Sequence, residues 1–245
     1  MEFPSPPKLL NWKPQLSQEY TCDQSLLITS GCSFTASTLQ LESAASWPGY
    51  VKDRCGFDKC IDMSYPGVGN LYIKDSIINT LEQCHRPEDA LVIVMWSGLN
   101  RAESLIPNSK QDPAINDISY QRCESTVDVD SLVDTSINYI LELEKYLTNK
   151  NISYAFTSYV NLLHPPFIPV ADKTPRFTDN QNHDKLQKIR EAIHFPAKGS
   201  DYLYDWAFLN HYLDSGDDFH PPVEANLKWT DTVLLPNLKQ LGIIE

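Results

Sequence analysis

The chain has 245 residues, with 32 acidic against 20 basic side chains and a net charge of −12. That length fits one α/β domain able to bury a substantial core. The acidic balance, with no dense basic cluster, argues against non-specific binding to nucleic acid or to an anionic membrane surface, and no apolar run is long enough to span a bilayer.

Residues 1–20 are proline-rich and polar, with Leu9, Leu10 and Trp12 as apolar anchors. They read as an extended arm that lies on the domain or contacts a partner chain. Residues 1–15 lack the charged-then-apolar pattern of a signal peptide. The chain is therefore expected to be made in a cytoplasm, with Cys22, Cys32, Cys55, Cys60, Cys84 and Cys123 mostly reduced. None of them forms a Cys-x-x-Cys pair. Cys84-His85 has no matching second pair, so no metal site is expected.

The first strand is expected at Leu26-Leu27-Ile28, a short apolar run of the length of a buried strand. Small residues follow, Thr29-Ser30-Gly31-Cys32-Ser33, and then a helix over residues 36–51, broken near Trp47-Pro48-Gly49. Residues 59–64 read as a second strand and Tyr65-Pro66-Gly67-Val68-Gly69-Asn70 as a turn. Residues 71–83 read as a helix, with Leu71, Ile73, Ile77, Ile78 and Leu81 available for its buried face. Residues 90–96 are continuously apolar, as a central parallel strand should be.

Residues 104–130 are polar and aperiodic, an excursion from the sheet. Residues 131–149 form an amphipathic helix through Leu132, Val133, Ile137, Ile140, Leu143 and Leu147. A strand at 152–159 follows. Residues 161–180 hold four prolines and form a second excursion of the kind that makes a lid. A short helix is expected at 184–193, no assignment is made for the aromatic-rich stretch 202–213, and a final helix is expected at 223–241. Strands alternating with helices predict a parallel sheet covered on both faces, in one domain over residues 21–245.

In such a sheet, ligands sit at the carboxyl ends of the strands. The turn after the first strand lifts Ser33 out at that edge, beside helix N–H groups. Taken alone, Ser33 reads as a helix cap. A distant pair changes that reading. Asp217 and His220 are three residues apart, which lets a carboxylate hold a neighbouring imidazole. A serine hydroxyl needs a base in hydrogen-bond reach, and the base needs an acceptor on its other nitrogen. Ser33, His220 and Asp217 supply nucleophile, base and orienting carboxylate.

An acyl-transfer site also needs donors aimed at the developing oxyanion. The N–H of Ser33, the N–H of Gly67 or of Gly69, and the Asn100 amide are the candidates. The simpler roles are turn geometry for the glycines and a helix cap for Asn100. Four such residues in this order along an α/β chain favour the catalytic reading.

The series Gly31-Cys32-Ser33-Phe34-Thr35, Pro66-Gly67-Val68-Gly69-Asn70, Ser97-Gly98-Leu99-Asn100 and Asp217-x-x-His220 resembles the ordered blocks of the SGNH (GDSL-type) hydrolase superfamily. The first block has the Gly-Cys-Ser-Phe-Thr form seen in viral and bacterial members. The resemblance covers most of the chain from about residue 26 onward. It implies a three-layer α/β/α, flavodoxin-like fold and ester hydrolysis without metal or organic cofactor. It also prefers Gly67 over Gly69 as the oxyanion donor, because the family's glycine precedes a small or polar residue two positions on. One departure is Arg101, where the third block usually continues with Asp. Arg101 could bind a substrate anion bidentately or pair with Glu103 on the surface.

The resemblance leaves the substrate class open among O-acetylated sugars, lipids, thioesters and aryl esters; the polar excursions favour an ester with a short acyl group, O-acetyl on a carbohydrate above all. Tyr65, Trp96, Tyr159 and Trp206 would suit stacking on a sugar ring or serve as core aromatics, the core role being the better one for Trp96. Two other functions fit the same sequence. One is a virion structural or attachment subunit with a glycan-binding domain of this type and little turnover. The other is a lipase or thioesterase, which would need a large apolar groove.

Overall fold

The computed structural model describes residues 26–36, 46–99, 103–107, 118–122, 129–160, 162, 189, 202–213 and 220–244. Its centre is a four-stranded sheet of β1 (Leu26–Gly31), β2 (Lys59–Asp62), β3 (Ala90–Trp96) and β6 (Ser153–Ser158). The spatial order is β2-β1-β3-β6, and every neighbouring pair is parallel. Helix α2 (Asn70–Glu82) packs on α3 (Val129–Asn149), while α1 (Trp47–Cys55) packs on the C-terminal helical stretch. This is the three-layer α/β/α arrangement that the sequence implies.

Strand β3 is buried along its whole length, which its unbroken apolar sequence requires of a strand covered on both faces. β1 runs three residues beyond its apolar start, through Thr29, Ser30 and Gly31. These polar residues are buried because their hydroxyls are satisfied. Thr29 Oγ1 donates to Asp62 Oδ1 at 3.0 Å, and Ser30 Oγ shares a 2.9 Å hydrogen bond with Ser76 Oγ of α2.

The Pro48-Gly49 step opens a helix rather than breaking one. α1 starts at Trp47 with Ser46 as its N-terminal flank, and a proline in the first turn sacrifices no intrahelical hydrogen bond. Ala36 is not helical, and residues 37–45 lie outside the described residues. Within the first excursion the described residues include two strands that aperiodic sequence does not reveal. β4 (Glu103–Pro107) and β5 (Ile118–Arg122) pair antiparallel as a separate ribbon. The second excursion lies outside the described residues, as does the arm at 1–20. Of the helix expected at 184–193, only Ile189 is described, helical and buried. The unassigned aromatic stretch contains α4 (Leu203–Leu209).

The final helix is not uniform. α5 (Val223–Trp229) passes through a wide, π-helical turn at Thr230–Leu234 into α6 (Leu235–Gln240). Pro236 explains it. A proline this far into a helix removes one N–H and clashes with the carbonyl four residues back, and a wide turn relieves that conflict. Asn226, Thr230, Leu234 and Leu238 are all buried at a four-residue spacing, wider than the 3.6 residues of a regular turn. Among the described residues, no helix is long and apolar enough to cross a membrane.

Candidate active site

In the order β2-β1-β3-β6, the chain leaves β1 first toward one edge and then toward the other. The carboxyl ends of β1 and β3 therefore flank the crevice where ligands bind in open parallel sheets. Ser33 follows β1 at that crevice. The Cys32 carbonyl accepts hydrogen bonds from the N–H groups of Thr35 (2.9 Å) and Ala36 (3.0 Å), which curls the chain tightly around Ser33. Gly31 makes the curl possible. A Cβ there would stand 2.9 Å from the Met95 carbonyl oxygen and would overlap Thr35 Oγ1.

His220 reaches the same place from the other end of the chain. Its Nε2 lies 2.7 Å from Ser33 Oγ, across 187 positions of sequence. The neutral imidazole can accept the serine proton at this distance. The segment after His220 is held down by a buried asparagine of α5. Asn226 Nδ2 donates to the carbonyls of Pro221 (3.1 Å) and Pro222 (3.2 Å). The imidazole also packs on an aromatic stack. The Phe34 ring centroid is 4.9 Å from that of His220, and Phe34 stacks on Tyr159 at 4.3 Å. Tyr204 of α4 meets Phe34 edge-on at 6.1 Å.

Gly67 and Gly69 are both at the carboxyl end of β2, in different conformations. Gly67 takes φ 82°, the left-handed value of the third residue in a Pro-Gly type II turn. Gly69 is extended at φ −103° and flanks the start of α2. The stretch after β3 is held from two sides. Asn70 pairs with the backbone of Ser97, and Ser136 Oγ of α3 donates to the Leu99 carbonyl at 3.1 Å.

The structure thus brings together Ser33 and His220 and puts the Gly67 turn and the Ser97–Leu99 segment at the same sheet edge. Asp217, Asn100 and Arg101 lie outside the described residues. Of the aromatics considered for sugar stacking, Trp96 and Tyr159 are buried, while Tyr65 and Trp206 are part-exposed. Sequence reasoning missed Phe34, Asn70 and Asn226. Each looks ordinary in sequence, an apolar residue beside a serine or an asparagine near a helix start; Phe34 and Asn70 are marked only by their place in the motif blocks, and Asn226 by nothing local.

The solved structures similar to this chain include the psychrotrophic esterase EstA from Pseudoalteromonas sp. The TM-score is 0.53 and the identity 15%, over 89% of this chain and 98% of that one. A structure of TesA gives a TM-score of 0.48 at 14% identity, over 88% of this chain and 99% of that one. A GDSL-like lipase from Bacteroides thetaiotaomicron gives 0.45 at 11%, over 96% and 100%. No family model matches the chain, and no curated protein matches it in sequence. The likeness to EstA is one of fold, and that fold agrees with the one the sequence motifs imply.

Proposed function

We propose that this chain is an SGNH-type serine esterase, with Ser33 as nucleophile and His220 as general base. The observation that carries the reading is the 2.7 Å contact between His220 Nε2 and Ser33 Oγ. In the mechanism, His220 takes the hydroxyl proton as Ser33 Oγ attacks the ester carbonyl. The tetrahedral oxyanion is held by the N–H groups of Ser33 and Gly67 and by the Asn100 amide. Asp217 orients the imidazole and stabilises its protonated form. The imidazolium returns the proton to the leaving alcohol, and water then releases the acyl group by the same steps in reverse.

The test is covalent labelling. The EstA structure is one inhibited by monoethylphosphonate, and a fluorophosphonate probe, which reacts with an activated serine, belongs to the same phosphonate class. The wild type should be labelled and Ser33→Ala should not. Labelling that persists in Ser33→Ala rejects the assignment.

The favoured substrate is a short acyl ester of a polar carrier, an O-acetylated carbohydrate. The sequence of residues 104–130 supplies Asn108, Lys110, Gln111, Asp112, Asn116 and Asp117 rather than the contiguous apolar walls an alkyl tunnel needs. Each methylene buried in such a tunnel would contribute roughly 0.8 kcal/mol. A chain-length series on one alcohol should therefore give a higher kcat/KM for acetyl than for octanoyl esters. A steady rise with acyl length would instead make the protein a lipase or thioesterase.

A further inference from the structure

β3 ends its ladder at Trp96. Its last partners are Met95 with Gly31 of β1 and Trp96 with Ser158 of β6. Ser97 is the first residue beyond the sheet and is fully buried, so its N–H and C=O still require partners. Both are supplied by one side chain. The Ser97 N–H donates to Asn70 Oδ1 at 2.9 Å, and Asn70 Nδ2 donates to the Ser97 carbonyl at 3.3 Å. Asn70 is itself only 1% exposed, so this pair of bonds forms away from competing water. The Ser97 hydroxyl contributes nothing to the anchoring, for its Oγ has no partner among the described residues.

Asn70 opens α2, three residues after Gly67, and Ser97 stands three residues before Asn100. The Asn70 amide therefore joins the two chain segments from which two of the three proposed oxyanion donors come. Ser136 fixes the far end of the short span at Leu99, so the described segment is held at both ends. We infer that Asn70 is a positioning residue of the oxyanion hole, setting the separation between the Gly67 turn and the Ser97–Leu99 segment, which Asn100 follows in sequence. It touches no reacting atom and acts through the backbone of Ser97. The inference rests on the esterase reading above.

The physical expectation follows from how oxyanion holes act. Their donors must lie where charge develops in the transition state, without rearranging during the reaction. A small displacement of a donor therefore affects the transition state more than substrate binding. Losing Asn70 should lower kcat by about 10- to 100-fold, less than the ~100- to 1000-fold typical of deleting a donor outright.

The experiment compares the wild type with Asn70→Ala and Asn70→Ser on an acetyl ester. Asn70→Ser keeps a hydroxyl in the first turn of α2 and serves if the alanine variant does not fold. In whichever variant is folded at the assay temperature, checked by its melting curve, kcat should fall about 10-fold or more. KM should stay within about twofold. The affinity for a boronic acid that mimics the tetrahedral intermediate should fall by the same factor as kcat/KM. A folded variant that retains wild-type kcat, or that changes KM alone, overturns the inference while leaving the esterase reading intact. A wild type that hydrolyses no ester and takes no fluorophosphonate label overturns both.

Discussion

The imidazole of His220 rests against the ring of Phe34, with centroids 4.9 Å apart and planes inclined at 34°. Because Phe34 adjoins Ser33 in sequence, the residue beside the proposed nucleophile also supports the proposed base. Tyr159, stacked on Phe34, backs it from the end of β6.

Aromatic pairs contribute about 0.5–1.5 kcal/mol beyond the area they bury. If that support is needed in the transition state, Phe34→Leu should lower kcat by a factor of about 2 to 12. Phe34→Tyr, which keeps the ring, should recover most of it. Steady-state kinetics on both variants check this, and an unchanged kcat in Phe34→Leu would reduce the stack to simple packing.

Replacement of His220 by alanine removes the proposed base while leaving Ser33 in place. We expect kcat to fall by about 1000-fold or more with KM little changed, measured on an aryl acetate. A loss of less than tenfold would mean that another group takes the serine proton.

Gly31→Ala should damage the nucleophile turn without touching a chemical group. Turning the Thr35 side chain moves its Oγ1 but not its Cβ, which would stand 2.8 Å from the new methyl. The Met95 carbonyl is held as well, because Met95 is paired with Gly31 in the sheet. Overpacking of this kind costs about 1–3 kcal/mol, and the rigid partner places the loss toward the upper end. The urea midpoint should fall accordingly, and an unaltered midpoint would show that the turn is free to shift.

Cys60 is a free thiol in β2 whose pKa is pushed up to about 12, first by burial and then by the charge of Asp62. The thiolate is the reactive form. At pH 8 iodoacetamide should spare Cys60 in the native protein and modify it in urea, as peptide mass spectrometry would show. The raised folded-state value also sets a pH dependence. The stabilisation is complete below the ordinary thiol value of 9.0 and is lost as pH rises from there toward about 12. Across that window the wild type should lose stability relative to Cys60→Ala.

Sequence made some of this molecule legible and hid the rest for identifiable reasons. β3 was readable because a strand buried on both faces must be apolar throughout. The last half of β1 was not, since Thr29 and Ser30 are buried only by virtue of partners 33 and 46 residues away. Pro48-Gly49 signals interruption in sequence, yet the same residues begin a helix when they fall in its first turn. The wide turn before Pro236 depends on how the helix resolves a local conflict, which periodicity does not disclose. At the site, Ser33 and His220 stood out because their chemistry is conspicuous. Phe34 meets His220, and Asn70 meets Ser97, only once distant segments come together, while Asn226 bonds the nearby Pro221 and Pro222 carbonyls through a side-chain orientation that sequence does not disclose.

The contact between Ser33 and His220 spans 187 positions, and this separation gives the proposed catalysis a place in the order of folding. Loop closure over so long a stretch comes after local helices and neighbouring strands can form. Ester turnover would then be among the last properties to return on refolding, lagging behind the circular-dichroism signal of the sheet. A nick anywhere between the two residues would leave activity dependent on the two pieces staying docked. The protein would thus report on its own completion, silent while its first strand waits for the segment that carries the proposed base.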